Sequence, residues 1–122
     1  GSERIVRLTT KTQYDAFMHT DLDYILKTAA VTGVVVTGCM TNLCCETTAR
    51  AALCRNFDVI FPHDANGTTD QVAHAHTIHN LTFGFANCPS TGSVLRCLET
   101  NRLRELTQRG FLDEEEWQFA GK

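Results

Sequence analysis

Val34-Val35-Val36-Thr37-Gly38-Cys39-Met40-Thr41-Asn42-Leu43-Cys44-Cys45-Glu46-Thr47-Thr48-Ala49-Arg50-Ala51-Ala52 reads as a buried strand, a tight glycine turn and a helix with cysteine in its first turn. Three consecutive valines suit a strand covered on both faces, as in a parallel sheet. The turn delivers a thiol to the strand's carboxyl end, in the positive field of a helix N-terminus. Unpaired N–H groups and the helix dipole there favour thiolate over thiol, and the thiolate is the nucleophile. Composition alone supports a second reading, in which both cysteines are small core residues of a packing helix.

Outward from this stretch, strand and helix alternate. Residues 3–9 read as a strand and 11–20 as a loop with a short turn. Residues 21–30 read as a helix with Leu22, Ile25, Leu26 and Ala29 on one face and Thr20 or Asp21 as cap. A strand over 33–38 leads to a helix over 43–55 that ends near Asn56. The next strand is 58–62. Residues 67–69 make a turn and cap before a helix over 70–85. Residues 87–90 form a short last strand or a loop, and 93–108 a helix stopped by Gly110. The acidic segment 113–117 adds one more helical turn, so 99–122 form a C-terminal helical extension to a single domain spanning 1–122. The pattern predicts an α/β fold with a mostly parallel sheet and helices on both faces. Ligands in such sheets bind at the carboxyl ends of the strands. Lys11 and Cys44 each follow a strand directly and so belong on that edge. Asp64 also follows a strand, and its expected task is to accept backbone N–H groups in the turn that follows.

The chain has 122 residues, 43% hydrophobic and 20% charged, with a net charge of −3. That charge gives no reason to expect nucleic acid or an acidic membrane surface as a partner. No apolar run approaches the roughly 18 residues that span a bilayer. Six cysteines lack CxxC spacing, which argues against structural zinc. Cys44 and Cys45 are adjacent, and Cys39 and Cys54 fall in core-like stretches, so free thiols in a reducing, cytosolic setting are expected rather than a disulfide framework. His74, His76 and His79 are spaced so that they do not share one helix face, and no metal site is assigned to them. No glycine-rich phosphate loop supports a nucleotide- or flavin-binding reading, and no cofactor is expected.

Gly38-Cys39-Met40-Thr41-Asn42-Leu43-Cys44-Cys45-Glu46-Thr47-Thr48-Ala49-Arg50 resembles the nucleophile motif of the isochorismatase-like cysteine hydrolases, which include nicotinamidases and N-carbamoylsarcosine amidase. Lys11-Thr12-Gln13-Tyr14-Asp15-Ala16-Phe17, followed by Thr20-Asp21-Leu22, resembles that superfamily's catalytic-lysine segment. Asp64-Ala65-Asn66-Gly67-Thr68 and Asn80-Leu81-Thr82-Phe83-Gly84-Phe85-Ala86 resemble later segments, so the likeness covers roughly residues 3–98.

The resemblance implies Cys44 as nucleophile and Lys11 as the lysine that tunes its charge, with Cys45 turned to the core. It implies a non-proline cis peptide between Cys39 and Met40, and an oxyanion hole made of the backbone N–H groups of Met40 and Cys44. His74 takes the place of a structural histidine. Thr41 and Asn42 suit capping of the following helix. The superfamily's triad also contains an Asp at the end of a first strand. No residue here matches it, and Asp15, Asp21 and Asp64 are not given that role. The chain therefore reads as a C-terminal portion lacking the N-terminal strands, with Gly1-Ser2 resembling a tag scar. The nicotinamidases' Asp/His metal set belongs to that same missing part.

The implied activity is hydrolysis of a small-molecule amide through a thioester acyl-enzyme. Isochorismatase itself cleaves a vinyl ether without needing this cysteine, so Cys44 points to amide chemistry. The expected partners are the amide substrate and either the N-terminal portion or another copy of the chain in a homo-oligomer. The alternative is a catalytically incomplete half, or an interaction module.

Overall fold

The computed structural model describes residues 5–107. Four short strands and four helices alternate along it: α1 (Leu22–Thr28), β1 (Gly33–Val35), β2 (Gly38–Cys39), α2 (Glu46–Cys54), β3 (Asp58–Ile60), β4 (Asn66–Gly67), α3 (Gln71–Gly84) and α4 (Thr91–Glu99). A π-helical turn, Thr41–Cys45, leads into α2, and a 3-10 turn, Leu103–Thr107, follows α4. Every strand pairing is parallel. β1 lies along β3 with Val34 opposite Val59, and β2 lies along β4 with Gly38 opposite Asn66. Residue Asn87 extends the sheet beyond β3, donating its N–H to Val59 O and accepting from Phe61 N–H.

The two pairings belong to one pair of chain segments separated by a bulge. Val35 is opposite Ile60, and three residues on Gly38 is opposite Asn66, six residues beyond Ile60. Three extra residues on the second segment push it out between Phe61 and Ala65. Asn66 fills the splay: its Nδ2 donates to Val36 O at 3.0 Å and to Pro62 O at 2.9 Å, one carbonyl from each side. Asn66 is only 7% exposed, so these donations satisfy carbonyls that the sheet ladder leaves unpaired. Bulges of this kind re-aim a strand and accumulate beside sites.

Period-2 alternation along β3 divides the core. Val59 and Phe61 point to one face, with Val34 and Val36 beside them, against Leu22 and Leu26 of α1, Ala49 and Ala52 of α2, and Ile78 and Leu81 of α3. Ile60 points to the other face, against Val94 of α4 and Leu106 of the 3-10 turn. Helical elements thus cover both faces of an α/β sheet, as the alternating pattern predicts.

Several sequence expectations need correction. Residues 5–8 are not a strand; Ile5 and Val6 are 70% and 60% exposed. A strand persists only where a neighbour takes its backbone hydrogen bonds, and none of the described residues does so here. The valine strand is not doubly covered, since Val35 is 40% exposed on the face where Ile60 meets α4. The helix expected over 93–108 starts earlier, at Thr91, and stops at Glu99, where Asn101 adopts φ 56°. Cys39 and Cys54 are exposed rather than in the core. Residues 3–4, 108–112 and the acidic segment 113–117 lie outside the described residues.

Candidate active site

The site is built where β2 ends. Gly38 has φ 132°, a conformation that suits glycine, and a Cβ there would lie 3.9 Å from the Cys45 sulfur. The Cys39–Met40 peptide bond is cis. Met40 is extended, and its carbonyl accepts both Leu43 N–H at 3.1 Å and Cys45 N–H at 3.2 Å. The second of these is an i→i+5 bond, the mark of a π turn, a form that recurs at functional sites. The two adjacent thiols on this turn lie in different surroundings. Cys44 is half-buried, and Cys45 is buried against the Phe17–Phe61 core.

Burial pushes the Cys45 thiol up to about 11; the neighbouring Cys44 and Cys39 add to the rise, and the Lys11 ammonium opposes it. Cys45 is therefore a protonated thiol at neutral pH. Cys44, Cys39 and Lys11 thus each act on the Cys45 thiol. Lys11 itself is exposed, in the turn region before α1. Glu46 begins α2 with its carboxylate on Arg50 at 3.1 Å, an i,i+4 pair, and the Arg50 guanidinium lies over the Phe85 ring.

Two contacts around the turn carry no sequence signal. Thr41, fully buried, has its hydroxyl 2.8 Å from Nδ1 of His74 on α3. Thr68 Oγ1 donates to Asn42 Oδ1 at 2.8 Å. Thr41 and Asn42 thus do not cap the following helix with their side chains, as expected from their residue types; both are drawn to later segments instead. Nor is Asp64 engaged only in its own turn. Its Oδ1 accepts the Thr91 N–H and hydroxyl, each at 2.7 Å, at the start of α4. Burial works against the Asp64 charge, but the Thr91 hydrogen bonds and the nearby His63 outweigh it and hold the carboxyl below its ordinary value.

Among the described residues, no group of three or more His, Cys, Asp or Glu side chains is placed to hold a metal ion. His74 has its Nδ1 2.8 Å from the Thr41 hydroxyl, and His76 and His79 are exposed. All six cysteines are free. No helix among the described residues is long and apolar enough to cross a membrane.

The Isochorismatase domain family model matches residues 3–93. The chain is 43% identical over 94 residues to nicotinamidase 3 of Arabidopsis thaliana, covering 77% of this chain and 48% of that protein. It is 44% identical over 68 residues to streptothricin hydrolase of Streptomyces noursei, covering 56% of this chain and 26% of that one. The crystal structure of a cysteine hydrolase from Pseudomonas syringae pv. phaseolicola superposes with a TM-score of 0.71 at 31% identity, covering 74% of this chain and 47% of that chain. The chain thus spans half or less of the length of these relatives. The family match over most of the chain, the parallel sheet and the thiol turn at its carboxyl edge agree: this chain belongs to the isochorismatase family.

Proposed function

We propose that this chain carries the nucleophile of a cysteine hydrolase that cleaves a small-molecule amide C–N bond. One observation carries the reading: the half-buried Cys44 thiol stands where β2 meets α2, while its neighbour Cys45, on which the Lys11 ammonium acts, is held protonated in the core. In this reading the Cys44 thiolate attacks the amide carbonyl. The oxyanion meets the backbone N–H groups of Met40 and Cys44, fixed donors of the kind that stabilise developing charge. The C–N bond breaks, the amine leaves with a proton, and a Cys44 thioester remains. Water then adds to the thioester, releasing the acid and restoring the thiol. Lys11 offsets the negative charge of the site. The proton to the amine comes from an acid to which no residue of this chain is assigned. The similarity to a nicotinamidase and a streptothricin hydrolase supports amide chemistry.

A second reading, an incomplete half that works only with a complementary chain, is favoured by one feature: among the described residues β1 pairs on one edge only, with β3. Amide hydrolysis by the chain alone decides between the two.

The thiol assignment is tested by limited iodoacetamide labelling with peptide mapping. Cys44 is expected to label first of the six cysteines, and more slowly in Lys11→Ala. Preferential labelling of Cys54 or Cys39 with Cys44 untouched overturns it.

A further inference from the structure

We propose that His74 is a positioning residue for the Cys44 turn, acting through Thr41. The inference rests on Cys44 as nucleophile and concerns what holds that sulfur in place. Thr41 is the first residue of the π turn and is 0% exposed. A buried hydroxyl must find a partner or carry a desolvation penalty. Its partner is His74 Nδ1 at 2.8 Å, a residue 33 positions away.

The geometry suits a latch because its far end is rigid. His74 lies in α3, whose start is fixed by Asp70: the Asp70 side chain accepts Val72 N–H at 2.8 Å, and its carbonyl accepts His74 N–H at 3.0 Å. Further along, α3 buries Ile78 and Leu81 in the core that also contains Cys45. Both tautomers serve. A neutral ring with its proton on Nε2 accepts the Thr41 O–H, and a ring carrying Nδ1–H donates to the Thr41 oxygen. Either way the first residue of the turn is tied to α3. The i→i+5 bond from Cys45 N–H to Met40 O then fixes the other end. Between these anchors Cys44 keeps its half-buried place and Cys45 its buried one. Without the latch, the buried Thr41 hydroxyl loses its partner on α3 and the turn is held less firmly at its first residue; small displacements of a reacting group are costly.

Six cysteines give the test its internal controls. Iodoacetamide labelling rates are measured at every cysteine in the 122-residue chain and in Thr41→Val, Thr41→Ser, His74→Leu and His74→Asn. Thr41→Val and His74→Leu are expected to lower the Cys44-to-Cys54 rate ratio roughly fivefold to tenfold, the scale of one lost hydrogen bond. Cys45 and Cys88, both buried, should stay protected. Thr41→Ser keeps the hydroxyl, and His74→Asn keeps a hydrogen-bonding nitrogen near the Nδ1 position, so both should recover most of the ratio. An unchanged ratio in Thr41→Val and His74→Leu overturns the latch while leaving Cys44 as nucleophile. A lowered ratio that neither conservative variant restores, or exposure of Cys88 alongside it, assigns the pair to general stability and overturns the positioning role. A Cys44 that labels no faster than Cys54 in the unaltered chain removes the nucleophile and, with it, the latch.

Discussion

Asp64 shows how a residue's type can be legible while its partner is not. A carboxylate just past a strand is a natural acceptor for backbone N–H groups, but its strongest partner here is Thr91, 27 residues on. The consequence is a pH-dependent tie between the bulged segment that joins β3 to β4 and the start of α4. The folded-state value is lowered, so the tie contributes fully above the unfolded value, about 3.9. It is lost as pH falls through the lower folded value. Thermal melts at pH 7 and pH 3 should show a smaller acid loss in Asp64→Asn than in the unaltered chain, because asparagine keeps the acceptor oxygen and carries no titrating charge. An equal loss in both would mean that Asp64 contributes nothing to acid stability. The cysteines divide in the same way. A likeness read from thirteen residues singles out Cys44. The contrasting burial of Cys44 and Cys45 is as expected, since adjacent helical residues point about 100° apart; the i→i+5 hydrogen bond of the turn leaves no pattern in sequence. His74 is legible as a structural histidine, but its Thr41 partner is not, because a threonine after a glycine turn looks like a cap.

At the scale of elements, the strand–helix alternation is legible, and so is the end of α2 near Asn56, but the end of α4 is not. Three helices end in the same way. After α1, α2 and α4 the chain turns left-handed at Ala30 (φ 57°), Asn56 (φ 69°) and Asn101 (φ 56°). In each case the next residue's N–H reaches back five residues: Val31 to Leu26 O, Phe57 to Ala52 O and Arg102 to Cys97 O. This is the Schellman termination, which glycine usually makes. None of the three positions is glycine, the commonest stop signal, and asparagine is a weaker one. That is why a helix continuing from Ser93 to Gln108 looked continuous. Asparagine tolerates the left-handed region; alanine does not, and the methyl at Ala30 costs about 1 kcal/mol there. Ala30→Gly should therefore stabilise the fold by about 0.5–1 kcal/mol, seen as a higher denaturant midpoint with an unchanged slope. A lower midpoint would mean that glycine's extra freedom in the unfolded chain outweighs the relief. The residue 5–8 segment fails for the opposite reason. Its apolar residues suit a strand, but strand formation is decided by a neighbour and not by the segment itself.

For the molecule as a whole, the uneven cover of the sheet matters most. One face is closed by α1, α2 and α3. The other is closed over Ile60 by α4 and the 3-10 turn, and left open at Val35, which lies opposite Ile60 on β1. Among the described residues β1 also has an unpaired outer edge. An open edge flanked by an exposed valine is a template for strand addition. The relatives carry about as much chain again beyond the matched part. Two complements fit this surface: a segment equivalent to that additional chain, or a second copy. For a second copy the simplest closed arrangement is two-fold, and two-fold pairing of one edge with itself runs antiparallel. We expect the 122-residue chain to associate through this edge, and a lysine at position 35 to oppose it, since inward-pointing charge is a known guard on strand edges. Sedimentation velocity over a concentration series should show association in the unaltered chain and a shift towards monomer in Val35→Lys. A circular-dichroism spectrum shared by both would show that the variant still folds. Should the unaltered chain sediment as a monomer throughout while hydrolysing amides unaided, the β1 edge needs no partner, and the acid that protonates the leaving amine must lie within these 122 residues.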